Sequence, residues 1–546
     1  MSGRDTIGFR VHPAKLENLR MKIQHRLRAA VAAVAVGAVV VLSGCSSWIP
    51  DQDPNQNPAN SSSSSVPDPA PVTGPAGVVP ASFEEIYNQD VEWTKCGGGA
   101  FQCADIQVPL DWDNPDSESI TIAAQRYNAR EKAMGTILVN PGGPGGSGID
   151  LVSYAPAVFG RELLKNYNIL GFDPRGVGQS EPITCLEPAE MDRFLATSYG
   201  ELTEDLLVKA TEEQKKFGQA CAKNSGAILG EVDTQSAAKD MDLMRAVVGD
   251  EKLNYLGFSY GTQLGATYAG IYPENVGKMV LDGAIDLRLT SHAQSLQQAV
   301  GFENALRAFV TDCQTRSDCV LQGSVDDGMK QIDQLLSGLL ANPMPTDHEG
   351  RVLTQNLGFY GMAQPLYAEP LWAMLRAALT EAIMANDGSS LLELSDMYFG
   401  REDDGTYADN SFEAFTAINC LDSREDADFA TMQAENAEII KAAPVMGKFF
   451  GFGAAGCADW PYPEAPQDFD LSAKGAAPIM VIGTTNDPAT PYIWAEGLSE
   501  QLESGFLVTH VGEGHTAYGQ GSACIVEVVD DYFVNGTIPA KDPECK

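Results

Sequence analysis

From about residue 80 onward, short apolar runs alternate with stretches in which apolar side chains return every three or four residues. Continuous apolar runs mark strands buried on both faces, and alternation with helical periodicity marks a parallel sheet covered by helices. The strand-like runs are Thr136 to Asn140, Tyr167 to Phe172, Leu253 to Leu256, Met279 to Leu281, Pro478 to Ile482 and Phe506 to Thr509. Between them Ala237, Met241, Met244, Val247 and Val248 share one helical face, and Gly249 stands where that helix would stop. The pattern therefore predicts an α/β chain with a mainly parallel central sheet.

The strand pattern breaks after Asp282-Gly283 and resumes only near Lys474. The residues between are predicted to be mainly helical. Leu296, Val300, Leu306 and Phe309 fit one face; Met329, Ile332, Leu336 and Leu339 a second; Leu371, Leu375, Leu379 and Ile383 a third. An insertion of this size is a domain in itself, and at the carboxyl edge of a sheet it would lie over the site there as a lid. The expected layout is a leader over 1–44, a tether over 45–82, a first core segment over 83–285, a helical lid over 286–470 and a second core segment over 471–546.

The leader carries Lys22, Arg26 and Arg28, then an apolar run from Ala29 to Val41, then Leu42-Ser43-Gly44-Cys45. This is the build of a secretory signal, and the run is too short for a comfortable span, which takes about 20 residues. Its ending resembles the bacterial lipobox, which implies that Cys45 is lipidated and anchors the chain outside the membrane. A signal of normal length opens at Met21, which points to residues 1–20 as an over-extended start. The Ser-, Pro- and Asn-rich stretch that follows cannot bury enough apolar surface to fold, and reads as a flexible tether spanning about 30–35 Å. Of 11 cysteines, ten remain once Cys45 is set aside, an even number that suits disulfides in an exported body. The expected pairs are Cys96 with Cys103, Cys313 with Cys319, Cys185 with Cys221, Cys420 with Cys457 and Cys524 with Cys545, although spacing does not fix connectivity. No Cys-x-x-Cys occurs, so no metal is expected. The formal charge of −38, with no basic cluster in the body, argues against nucleic acid as a partner.

Candidate chemistry centres on Gly257-Phe258-Ser259-Tyr260-Gly261, which follows a predicted strand. Gly-x-Ser-x-Gly at a sharp strand-to-helix turn presents a nucleophilic serine, and the flanking glycines are needed where strand and helix nearly touch. A serine needs a base, and the base an orienting acid. Of six histidines, His12 and His25 lie in the leader, His292 and His348 in the insertion and His510 at the end of the last strand. His515, on the glycine-flanked loop beyond that strand, is the candidate base, and Asp487, the carboxylate after the preceding strand, the candidate acid, with Thr490 placed to steady it.

Residues 140–148 read Asn-Pro-Gly-Gly-Pro-Gly-Gly-Ser-Gly and contain Gly-x-Gly-x-x-Gly. A dinucleotide cradle is disfavoured, because Pro141 and Pro144 lack amide hydrogens and no clear helix is expected to follow; no cofactor is predicted. Bare backbone here instead suits an oxyanion hole, with Gly143 and Tyr260 as the amide donors. Asp173 and Arg175 are expected to form a loop-shaping pair.

These motifs together, with Asp-Pro-Arg-Gly-x-Gly-x-Ser at 173–180, Asn-Asp-Pro-x-Thr-Pro at 486–491 and Gly-x-Gly-His-Thr at 512–516, resemble the secreted tripeptidyl-aminopeptidase branch of the α/β-hydrolases, relatives of proline iminopeptidase. The resemblance runs from about residue 80 to the C-terminus. It implies the α/β-hydrolase fold with a lid, and a serine exopeptidase releasing short peptides from free N-termini of peptides or proteins. Proline iminopeptidases usually carry His-Gly-Gly-Pro-Gly at this loop; Pro141 in place of the histidine matches the tripeptidyl branch and tells against single-residue or proline preference. A free amine calls for a carboxylate in the pocket. Asp422 is the candidate, with Glu413, Glu425, Asp426 and Asp428 as competitors. A carboxylesterase using the same triad is the alternative activity, and a silent envelope-tethered binding module the third reading.

Overall fold

The computed structural model describes residues 80–425, 428–467 and 469–546. The leader, Cys45, the tether up to residue 79 and Asp426 lie outside the described residues. Ten strands form one sheet: β1 (Thr94–Cys96), β2 (Phe101–Pro109), β3 (Ser119–Tyr127), β4 (Thr136–Asn140), β5 (Asn168–Phe172), β6 (Leu253–Phe258), β7 (Val276–Asp282), β8 (Ile479–Asn486), β9 (Gly505–Glu513) and β10 (Glu544–Cys545). Their spatial order is β1-β2-β3-β5-β4-β6-β7-β8-β9-β10. From β5 to β10 all pairs are parallel, whereas β1, β2 and β3 join antiparallel at one edge.

The apolar runs are continuous because both faces are covered. Ile137, Val139, Leu256, Val280 and Met480 pack with the helix Ala523–Asn535 on one side. Leu138, Tyr255, Leu281 and Val481 pack on the other with the helices Thr234–Val247 and Tyr260–Ile271. The order of strand addition switches sides at β4, which has β5 on one flank and β6 on the other. The loops leaving the carboxyl ends of β4 and β6 therefore diverge around a crevice, the usual ligand position in such sheets.

Between β7 and β8 the chain is mainly helical, from Ser291–Gln314 to Phe429–Ala442. The faces built by Met329, Ile332, Leu336 and Leu339 and by Leu371, Leu375 and Leu379 are buried. Ile383 departs from expectation: it sits in the last turn before Asn386 ends the helix, and is 37% exposed. All five expected disulfides are formed, Cys96–Cys103, Cys185–Cys221, Cys313–Cys319, Cys420–Cys457 and Cys524–Cys545.

Two loop expectations need correction. A helix, Gly148–Ser153, does follow the glycine loop, capped by the Ser147 side chain accepting from the Asp150 amide. Asp173 and Arg175 do not pair with each other. Asp173 accepts from Ser147 Oγ at 2.5 Å and from the Gln179 amide at 2.9 Å. Arg175 is fully buried, with Nε and Nη2 each donating to Asp240 at 2.7 Å and the remaining donors on the carbonyls of Pro109, Leu110 and Glu231. A guanidinium offers five fixed donors, and here it ties three segments together.

Candidate active site

Ser259 stands between β6 and the helix Tyr260–Ile271 with φ 56° and ψ −124°. A side chain is rarely held at positive φ, so surrounding structure must enforce this turn. The enforcement is visible in the neighbours. A Cβ on Gly257 would lie 2.3 Å from the Gly261 carbonyl, and one on Gly142 would lie 2.5 Å from the Phe258 carbonyl and 2.8 Å from Ser259 Cβ. The glycine loop after β4 thus rests directly against the serine turn.

That loop uses some of its amides internally. Gly142 donates to the Asn140 side chain at 2.9 Å, and Gly146 to the Gly142 carbonyl at 3.0 Å. The amide of Tyr260 belongs to the first turn of its helix, where no intrahelical acceptor exists. Gly143, at φ 108°, and Tyr260 both line the cavity that also exposes Ser259. Peptide N–H groups so placed can stabilise an oxygen that gains charge.

Beyond β8 and β9, Asp487 and His515 meet. His515 Nδ1 lies 2.9 Å from both carboxylate oxygens of Asp487. The carboxylate also accepts from Thr490 Oγ1 at 3.0 Å, from the amides of Ala489 and Thr490 at 2.9 Å and from the Thr516 amide at 3.2 Å. Both residues are buried. With Nδ1 facing a carboxylate, the neutral imidazole carries its proton there and leaves Nε2 as the acceptor. His510 stays within β9, half-buried, and burial depresses its pKa.

Asp282, which belongs to no motif in the sequence, joins the two halves of this arrangement in the fold. It ends β7, beside the serine turn, and its carbonyl accepts the Ser259 amide at 2.8 Å. Its carboxylate, fully buried, accepts the amides of Ala517 at 3.0 Å and Tyr518 at 2.7 Å, just beyond His515. Burial pushes its pKa up to about 7, against the opposing pull of those amides. The one legible signal was an acid directly after an apolar strand. The lid holds the same loop from the other side, for the His515 amide donates to the Tyr367 carbonyl at 2.8 Å.

Asp422 ends the lid helix Ser411–Asp422 and lines the same cavity. It accepts the Thr234 amide at 2.8 Å, Thr234 Oγ1 at 2.5 Å and Gln263 Nε2 at 3.2 Å. Thr234 Oγ1 in turn lies 2.6 Å from the Tyr260 hydroxyl. Burial raises the Asp422 pKa to about 7, and the nearby Asp233 adds to the rise. Of its competitors, Glu413 spends its carboxylate on the amides of Cys185 and Leu186, and Asp428 caps the helix beginning at Phe429. Glu425 shares the cavity, whose volume is about 1670 Å³.

A mainly parallel sheet with a serine at a strained strand-to-helix turn and a carboxylate–imidazole pair beyond its later strands defines an α/β hydrolase. The α/β-hydrolase fold family matches residues 135–324, and the TAP-like protein family matches residues 443–545. Serine protease Hip1 of Mycobacterium tuberculosis is 36% identical over 483 residues, covering 85% of this chain and 92% of the relative. Carboxylesterase B of the same species is 34% identical over 450 residues, covering 81% and 86%. Tripeptidyl aminopeptidase of Streptomyces lividans is 28% identical over 469 residues, covering 83% and 86%. The chain belongs to the tripeptidyl-aminopeptidase-like branch of the α/β-hydrolases, and it is a serine hydrolase.

Proposed function

We propose that this protein is an aminopeptidase that releases short peptides, of tripeptidyl type, from free N-termini through an acyl-enzyme on Ser259. His515 takes the serine proton, Asp487 fixes the imidazole and stabilises its cation, and Thr490 steadies Asp487. Gly143 and Tyr260 donate to the oxyanion. The observation that carries the peptidase reading is Asp422, a cavity carboxylate tied by Thr234 and Gln263 to the helix that begins beside Ser259. It has no cation bonded to it among the described residues, and a substrate ammonium would supply one. A carboxylesterase remains the second reading, supported by the relative of that name.

The test compares a free-amine tripeptidyl amide, its N-acetyl form and a short-chain acyl ester. Only the first should be cleaved well by an aminopeptidase, whereas cleavage of the ester alone would establish the esterase. The pH profile sharpens the result. Asp422 binds an ammonium only when ionised, so kcat/KM for the free-amine amide rises as pH climbs through about 7. It falls again as the substrate amine loses its proton near pH 8, roughly the α-amino value. Asp422→Asn should abolish the part of the profile that the ester lacks. A free-amine profile identical to the ester profile in wild type would refute the role of Asp422.

We further propose that the chain is exported and lipid-anchored at Cys45, a reading supported by the five disulfides, which suit an oxidising compartment. Labelled palmitate should enter the wild-type protein in its host and be absent from Cys45→Ala; equal labelling would rule the anchor out.

A further inference from the structure

A band of aromatic rings runs along the lid side of the cavity and begins at the imidazole. Tyr367 stands edge-on to His515 with ring centroids 5.6 Å apart. Tyr398 follows at 6.4 Å from Tyr367, Phe399 at 5.0 Å from Tyr398, and Phe412 at 5.7 Å from Phe399. Tyr360 fills in behind, 4.8 Å from Tyr398 and 4.6 Å from Phe399. All five line the cavity, and all but Phe399 keep part of their surface open. Three helices contribute to the band, Gln355–Leu366 with Tyr367 just past its end, Ser389–Phe399, and Ser411–Asp422.

The direction of the reaction gives this band its meaning. During acylation His515 returns the serine proton to the departing nitrogen, so that nitrogen must come within about 3 Å of Nε2. Nδ1 is engaged by Asp487. The leaving group is therefore the part of the substrate nearest the imidazole, and the first protein surface it meets on the lid is Tyr367. The acyl part leads elsewhere, from Ser259 through Tyr260 and Thr234 to Asp422. Phe412 and Asp422 occupy opposite ends of one helix, ten residues and about 15 Å apart along its axis. One substrate residue, at roughly 3.5 Å of chain, cannot touch both.

We propose that this lid band is the leaving-group subsite, built to receive a bulky apolar side chain, aromatic above all, on the first residue of the departing amine. The inference rests on the acyl-enzyme reading above. It also implies the reverse step. An α-amine whose aromatic side chain is held on the band attacks the acyl-enzyme, the new C–N bond forms as the ester bond to Ser259 Oγ breaks, and the amine proton passes through His515 to that oxygen. Water is then displaced as acceptor with no further reactant.

Trialanine methyl ester supplies one acyl-enzyme whatever the acceptor, so partition between hydrolysis and transfer reads the subsite alone. With phenylalaninamide and glycinamide at equal concentration, wild type should form the tetrapeptide amide with phenylalanine in excess by on the order of 10- to 100-fold. Tyr398→Ala should bring that ratio close to one, with ester hydrolysis by water retained; Tyr398→Phe, which keeps the ring, should preserve it. Equal transfer to the two amides by wild type overturns the inference without recourse to any variant, and so does a preference that survives in folded Tyr398→Ala. If the ester is turned over equally by Ser259→Ala, the acyl-enzyme reading itself fails and the subsite falls with it.

Discussion

Replacing Ser259 by alanine is expected to lower kcat/KM on the preferred substrate by roughly 10⁴- to 10⁶-fold, because the acyl-enzyme can no longer form and only binding and the oxyanion donors remain. KM should change little, since the hydroxyl is small. Stability should hold, because nothing in the turn depends on the hydroxyl; the strain at φ 56° is imposed through the backbone, by the Ser259 amide on the Asp282 carbonyl and the Thr262 amide on the Ser259 carbonyl, each at 2.8 Å. Combining the change with His515→Ala should cost little more than either alone, since residues acting as one unit are not additive. A purified variant that folds and keeps more than about a hundredth of wild-type turnover would remove Ser259 from the reaction.

The second large effect concerns stability. Arg175→Ala should destabilise the protein by about 3–5 kcal/mol, read as a shift in the urea unfolding midpoint at constant slope. The change leaves the Asp240 carboxylate, 1% exposed, without its cation and strands the carbonyls of Pro109, Leu110 and Glu231. Trp112 Nε1 would still donate to Asp240 at 2.8 Å, too little to hold a buried charge. Replacing both partners, as Arg175→Met with Asp240→Leu, should recover much of the loss, because a buried pair is costly mainly when broken. A loss below about 1 kcal/mol in the single variant would show that this cluster does not brace the loop.

The legible and illegible parts of the fold divide along physical lines. β4 was readable to the residue because both faces of Thr136–Asn140 are buried and the run is unbroken. β2 was missed although Ala104, Ile106 and Val108 alternate with more exposed neighbours, because period two is a weaker signal than an apolar run, and β3 because its buried stretch, Ile122 to Arg126, ends in the polar Gln125 and Arg126. β10, of two residues, is too short to carry a signal of its own; it pairs with β9 and ends in the Cys524–Cys545 bridge. Ser259, Asp487 and His515 were nameable because each sits in a local motif next to a strand end. Asp282 and the aromatic band were not. Tyr360, Tyr367, Tyr398 and Phe412 come from three helices with no shared spacing, and read singly each is an ordinary core ring.

By itself, then, the sequence determined what short-range chemistry can determine: which runs are buried strands, where glycine permits the serine turn, that ten cysteines suit five bridges, and which serine, acid and histidine are candidates. These are statements about neighbours in the chain, where backbone sterics and hydrophobic periodicity act directly. Only the tertiary structure decided that Arg175 answers Asp240 instead of Asp173, that Asp282 joins the serine turn to the histidine loop, and that Asp422 and a wall of rings share one cavity. Those arrangements join residues from 23 to 235 positions apart by hydrogen bonds such as Ser259 to Asp282 and Ala517 to Asp282, and no local propensity encodes such a pairing. They follow from the packing of the lid on the sheet, which sets side chains from distant segments at bonding distance once the whole core is buried.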